Sequence, residues 1–256
     1  MIPILFEIGP IKIYSFGTML VVAFLVDYQL LKHELKRRNK SEALAGDIVF
    51  WAALGGILGS KVYYMFENYR LFVNDPIGMI FSGSGLVFLG GLMGGMLAVT
   101  VLIKKRGESW LEFADIVAPL LILGYAIGRV GCFLVGDDYG IVSDLPWAIA
   151  FPNGVPPTLV PVHPTQLYEF TMGIIIFTIL WRLRVKTSPH GQLFFIYLIL
   201  AGWERFLIEF IRTNTQYFIG LSGAQVISIM MVGIGSYLFY KTYSTSSESG
   251  AAETSS

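Results

Sequence analysis

The feature that most constrains this chain is a series of apolar runs whose connecting loops carry Lys and Arg only at every second turn. Seven runs can be drawn, Ser15–Leu31, Ala43–Phe66, Ile77–Ile103, Phe113–Gly136, Pro164–Leu183, Gly191–Arg212 and Leu221–Tyr243. Each is near the ~20 residues that a helix needs to cross a bilayer. Lys32, Lys36, Arg37, Arg38 and Lys40 follow the first run. Lys104, Lys105 and Arg106 follow the third, Arg182, Arg184 and Lys186 the fifth, and Lys241 ends the seventh. The other loops are nearly free of Lys and Arg, so the positive-inside rule puts the N-terminus outside and the C-terminus inside. With 54% hydrophobic and 14% charged residues, the chain is too apolar for an ordinary soluble domain. The predicted fold is all-α: a polytopic integral membrane protein with seven transmembrane helices.

A net charge of zero points to no nucleic-acid partner. A single cysteine, Cys132, excludes an internal disulfide framework and a multi-cysteine metal centre. No basic region precedes the first apolar run, so no cleavable signal peptide is expected. Residues 1–243 then form the membrane domain, with Met1–Tyr14 lying along the outer surface. Residues 137–163 form a small extracytoplasmic head, being rich in proline and lacking Lys and Arg. Residues 244–256 are small and polar and read as a disordered cytoplasmic tail. The second run carries Gly55, Gly56, Gly59 and Ser60; the third carries Gly83, Gly85, Gly90, Gly91, Gly94 and Gly95. Small residues four apart allow close helix packing or leave room for a lipid, and both readings stand.

Charged side chains inside membrane segments mark functional sites by default. Arg129, Arg205 and Lys61 each lie about five to seven residues from the outer end of their runs, hence ~8–10 Å below the outer boundary. Three cations at one depth suit a bound anion or buried carboxylates. Arg205, Glu209 and Arg212 are spaced four and three apart and share a helix face. Glu209 either pairs with these arginines or joins a binding site. An arginine fork matches two phosphate oxygens at once, and phospholipid supplies phosphate at this depth. His163-Pro164-Thr165-Gln166-Leu167-Tyr168-Glu169 opens the fifth run, with His163 at the cap position and Gln166 and Glu169 on one face. Glycines at 128, 131, 136 and 140 flank Arg129 and allow close approach of backbone or ligand. Cys132 reads as a packing residue. Asp27, Asp47 and Asp115 read as helix-end residues. Asp137, Asp138 and Asp144 form the minority candidate for a hard cation.

At these residues the chain resembles the prolipoprotein diacylglyceryl transferase family. The resemblance covers nearly the whole chain except the tail. It rests on Gly128-Arg129-x-Gly131-x-Phe133 with Gly136 and Gly140, on the 163–169 motif, and on Arg205-x-x-x-Glu209-x-x-Arg212, with Gln225 and Asp115 in their family places. It implies a bacterial cytoplasmic (inner) membrane enzyme without cofactor or metal. Such enzymes move the diacylglyceryl group of phosphatidylglycerol onto the lipobox cysteine of a preprolipoprotein signal peptide and release glycerol 1-phosphate. Arg129, Arg205, Asp137 and His163 are then the expected catalytic residues. Lys61, Gly128, Gly131, Gly136, Gly140, Gln166, Tyr168, Glu169, Glu209 and Arg212 join Arg129 and Arg205 around the lipid. The chain departs from the family pattern at Leu89, where a histidine is usual. It departs again at Cys132 and Val135 in place of asparagines, Asp137 in place of glutamate and Phe16 in place of tyrosine. The alternative readings are a divergent lipid-binding paralogue and a metal-dependent lipid transferase using Asp137 and Asp138. A transporter or scramblase is a third class.

Overall fold

The structure is a computed structural model that describes residues 1–9, 11–81, 87–187, 190–214, 216–218 and 220–253. The chain is mostly helical. Its helices are α1 (Ser15–Arg37), α2 (Ala43–Glu67), α3 (Tyr69–Asn74), α4 (Pro76–Phe81), α5 (Phe88–Lys105), α6 (Trp110–Val135), α7 (Thr165–Leu183), α8 (Gln192–Ile208) and α9 (Gly223–Glu253). Four of them, α1, α2, α6 and the Gly223–Ser244 part of α9, are long and apolar enough to cross a membrane. Their large apolar residues, among them Leu25, Leu58, Leu121 and Met230, are exposed. An outward apolar face of this kind fits a hydrocarbon surround. Helices α7 and α8 carry the polar residues Gln166, Glu169, Glu204 and Arg205, all but Arg205 of which are buried.

Several expectations are corrected. The third run is not one helix: α3 and α4 are single short turns of chain, and α5 starts afresh at Phe88. Asp75 and Pro76 break the pattern there, since the residue before a proline is pushed out of helical geometry. Gly83 and Gly85 lie outside the described residues. The fold is not purely helical, because among the described residues three antiparallel two-stranded sheets join helix ends: β1 (Ile4–Ile8) with β2 (Ile11–Tyr14), β3 (Ile149–Phe151) with β4 (Thr158–Val162), and β5 (Gln216–Phe218) with β6 (Leu221–Ser222). Backbone groups that leave a helix still need partners, and these short ladders supply them. Helix α9 runs from Gly223 to Glu253. Helix α1 runs on to Arg37, which leaves Asp27 mid-helix instead of near its end.

The described chain forms two compact units, Leu31–Phe113 and Met1–Leu30 with Ala114–Ser256. In the first, α2 and α5 meet through glycines. A Cβ on Gly59 would lie 2.8 Å from Gly94 Cα and collide with the Gly90 carbonyl. These glycines therefore serve backbone-to-backbone packing. Lys40 pairs with Glu108 at 2.6 Å and with Glu112 at 3.1 Å, and Arg106 with Asp47 at 2.5 Å. The basic loops after α1 and α5 are thereby joined on one side.

In the second unit, Asp115 near the start of α6 accepts hydrogen bonds from Gly191 N (2.7 Å) and Phe194 N (2.8 Å). It caps α8 and satisfies two of the amides that a helix start leaves open. At the opposite end of α6, Ile2 N donates to Leu134 O at 2.9 Å, which fixes the β1–β2 hairpin there. The 137–163 connection folds over the same end. Phe151 is fully buried, stacked on Tyr139 and edge-on to Phe133.

Candidate functional site

Four segments of the second unit bring charge together near the end of α6. Tyr125 and Arg129 lie four apart on α6, and the guanidinium sits 4.9 Å over the tyrosine ring. Past α6, Gly136 (φ 80°) and Asp138 (φ 60°) both take left-handed backbone, which glycine and aspartate tolerate best. The chain turns sharply and aims the Asp138 carboxylate back at the helix. The first turn of α7 straps this bend: Thr165 Oγ1 donates to Asp138 O at 2.7 Å and Gln166 Nε2 to Asp137 O at 2.5 Å. Beyond α8, Gly140 N bonds to His163 O and Ile141 N to Ile211 O, each at 2.9 Å. A Cβ at Gly140 would collide with the Ile211 carbonyl.

Glu169, one turn into α7 and fully buried, is the hub. It accepts a hydrogen bond from Tyr125 Oη at 2.8 Å. Arg205 Nη1 lies 3.2 Å away, Arg212 Nη1 3.3 Å and Arg129 Nε 3.4 Å. Asp138 joins two of these arginines, at 2.8 Å from Arg129 Nη1 and 2.8 Å from Arg212 Nη2. Glu209 pairs with Arg205 at 2.8 Å and accepts from Asn214 Nδ2 and Ser222 Oγ, both at 2.7 Å. Ser222 and Gln225 form a capping box at the start of α9. Gln225 Oε1 accepts from Ser222 N at 3.0 Å, and Gln225 N donates to Ser222 Oγ at 3.2 Å. The helix cap thus holds Glu209 in place.

Three arginines balance three carboxylates in a cluster that is buried at Glu169, Glu209 and Arg212 and open to solvent at Asp138. Burial would raise the Asp138 carboxyl, but Arg212 and Arg129 outweigh it and hold it below the ordinary carboxylate range. Asp137 has no ion-pair partner among the described residues, and burial pushes its carboxyl up. The exposed rim is formed by Asp138, whose side chain is 45% exposed, with Arg205 at 25% and Arg129 at 14%, while Arg212 is 6% exposed. A guanidinium carries five N–H donors, so each rim arginine has donors left after its carboxylates are served. An anion with several oxygens can be met there.

The predicted site residues divide accordingly. Arg129, Arg205, Arg212, Glu169 and Glu209 meet directly, and Gln166 braces them. Gly128 faces open space; Gly131 packs on Phe16 and Met19 of α1, and Gly136 on Gly154 and Met1. Tyr168 turns away from Glu169: its hydroxyl accepts from Trp147 Nε1 at 2.7 Å and lies 3.3 Å from His163 Nδ1. His163 precedes the cap position, which Pro164 takes. Lys61 belongs to the other unit, where its Nζ lies 3.4 Å from Met79 O. Asp137 and Asp138 gather with Cys132, and Asp144 is not in that group among the described residues. Both Asp138 oxygens already face arginines, which disfavours the magnesium reading. Tyr125, Asn214, Ser222 and Glu204 join the site beyond the residues that the sequence motifs mark. Tyr125 at four residues before Arg129, and Ser222-x-x-Gln225, were available signals.

A family model described as "Prolipoprotein diacylglyceryl transferase" matches residues 3–241. The chain belongs to the prolipoprotein diacylglyceryl transferase family. Three relatives carry the name phosphatidylglycerol–prolipoprotein diacylglyceryl transferase. That of Pseudoalteromonas atlantica is 34% identical over 242 residues, covering 90% of this chain and 85% of the relative. That of Pseudomonas paraeruginosa is 38% identical over 216 residues, covering 82% and 80%. That of Coxiella burnetii is 32% identical over 252 residues, covering 94% and 95%. Membership in this family extends over both units and includes every residue of the arginine–carboxylate cluster.

Proposed function

We propose that this chain transfers the diacylglyceryl group of phosphatidylglycerol to the lipobox cysteine of a preprolipoprotein. The observation that carries the reading is the convergence of Arg129, Arg205 and Arg212 on one buried carboxylate, with the first two reaching the rim. The substrate's thiol loses its proton, and the thiolate sulfur attacks the glyceryl carbon that bears the phosphate. The carbon–oxygen bond breaks, its electron pair leaves with the phosphate oxygen, and glycerol 1-phosphate and a thioether result. The leaving phosphate gains a negative charge, which preset guanidiniums stabilise without reorganising. Arg129 and Arg205 grip the phosphate; Arg212, Glu169, Glu209 and Asp138 hold them in register, and Gln166 braces the bend at 137–138. Asp137 takes the thiol proton in preference to His163. Its carboxyl is raised by burial and stands beside the clamp, whereas His163 faces Tyr168.

Around this centre, residues 1–243 form the transferase domain, with seven crossings, the N-terminus outside and the C-terminus inside. Residues 137–163 form the extracytoplasmic head that meets the signal peptide, in a bacterial cytoplasmic membrane. The alternation of Lys and Arg between loops supports this orientation. The joined basic loops after α1 and α5 agree with it. Complementation of a strain depleted of its own transferase tests the function. Growth and lipoprotein maturation are expected; failure despite good expression and membrane insertion would demote the chain to a lipid-binding paralogue.

A further inference from the structure

A groove runs along the joint of α2 and α5, inside the unit Leu31–Phe113, with a volume of about 660 Å³. Ligand pockets commonly hold ~300–1,000 Å³. Most of its wall is apolar: Val62 and Phe66 come from α2, Met93 and Leu97 from α5. All four residues are exposed in the folded chain. Its charged end is formed by Thr100, Lys104 and Trp110. Trp110 Nε1 donates to Thr100 Oγ1 at 3.1 Å, which holds the indole at that end. The nearby cations Lys40 and Arg106 are taken up by Glu108, Glu112 and Asp47. Lys104 is exposed and has no ion-pair partner among the described residues.

Length and charge narrow the occupant. From Met93 to Lys104 the helix covers ~16 Å at ~1.5 Å per residue. One leaflet holds hydrocarbon to a depth of ~15 Å, half of the ~30 Å core. A molecule with an apolar tail of that reach and an anion at its head matches both ends of the groove. An ammonium meets a phosphate as a point charge, and tryptophan settles at the headgroup level. We propose that the groove holds one acyl chain of an anionic phospholipid, with its phosphate on Lys104 and its headgroup beside Trp110. The lipid is a ligand there and not a reactant. The site shares no residue with the arginine–carboxylate cluster. It needs neither the transfer reaction nor a particular leaflet, only a bilayer around α2 and α5.

The test places the full chain in phosphatidylcholine nanodiscs with increasing amounts of a phosphatidylserine whose acyl chain carries a diazirine. After illumination, labelled peptides are mapped by mass spectrometry. Phosphatidylserine brings an anionic head without being the proposed substrate, so a failure of transfer and a failure of the groove stay distinguishable. Saturable labelling of residues 62–66 and 93–97, at one lipid per chain, is expected. Unsaturable labelling scattered over the exposed apolar faces of α1, α6 and α9 would mean annular lipid only and would overturn the proposal. Equal labelling by a phosphatidylcholine diazirine would overturn the role of the anionic head. Cross-linked dimers through α5 in place of lipid adducts would give the groove to a second copy of this chain. Lys104→Gln should weaken labelling about five-fold, the scale of one lysine at a charged membrane surface. Lys105→Gln, the next residue but not part of the groove wall, should label like the parent. Leu97→Trp fills the groove from an exposed position and should abolish saturable labelling with Tm unchanged. If the two lysine variants weaken labelling alike, the charges attract lipid only in general and the specific site is refuted.

Discussion

Replacing Glu169 by glutamine should weaken the free protein and yet strengthen its grip on phosphate. Glu169 is fully buried and meets Tyr125 and three guanidiniums within 3.4 Å. Glutamine keeps the shape and can still accept from Tyr125, but it leaves three arginines facing only Asp138 and Glu209. Removing one partner from a buried ion-pair group is destabilising by about 3–5 kcal/mol. With the hydrogen bond retained the lower figure applies, about 3 kcal/mol. For a chain of this size that is a fall in Tm of roughly 6–12 °C. The uncompensated guanidiniums should then welcome an anion. Glycerol 1-phosphate at about 100 times its Kd returns ~2.7 kcal/mol to any protein that binds it. It should reach that level at a lower concentration in the variant than in the parent. Thermal unfolding in detergent across a glycerol 1-phosphate titration reads both effects. A variant as stable as the parent, or one that needs more ligand for the same rescue, would refute the role of Glu169 as the countercharge of the clamp.

Other consequences are more local. Ser222→Ala removes the capping box and one hydrogen bond to Glu209, so a loss of about 1 kcal/mol is expected; an unchanged Tm would contradict it. Gly59→Val drives a side chain into the α5 backbone and should destabilise by about 1–3 kcal/mol. Gly128→Ala meets open space and should leave Tm unchanged. The Asp138 carboxyl is held below its ordinary value, so its charge stabilises the fold above about pH 4 and that contribution is lost as pH falls through the lowered value. Asp138→Asn should therefore be less stable than the parent at pH 7, with a gap that narrows in acid; a gap independent of pH would rule this out.

The apolar runs and the charges between them were legible because crossing a membrane demands about 20 apolar residues whatever the partners. The same rule could not foresee the break before α5, where Asp75-Pro76 overrides a hydrophobic pattern. Nor does it speak to the three short sheets, which arise from backbone pairing between distant loops. In the site, Arg205, Glu209 and Arg212 were readable together because helix spacing puts them on one face. Asp138 was read as solvated or metal-binding; its true partners depend on a left-handed bend that returns it to Arg129, which residue spacing does not encode. Tyr168 and Glu169 are adjacent in sequence but part company in the structure, one toward Trp147 and His163, the other toward the arginines. Glu204 stands beside Arg205 in an apolar helix, where a carboxylate is itself a signal of a site.

The central claim is that Arg129 and Arg205 orient a phosphate that leaves as the thioether forms. The most direct measurement supplies the purified protein with phosphatidylglycerol and a lipobox peptide, and quantifies modified peptide and glycerol 1-phosphate together. The account predicts equal amounts of the two products. It predicts that Arg129→Lys and Arg205→Lys each insert and fold but lose transfer by about 10²-fold or more, because lysine keeps the charge and loses the fork that aligns two oxygens. Near-normal transfer by both lysine variants would show that the arginines only neutralise Glu169 and its neighbours, and would contradict the phosphate clamp.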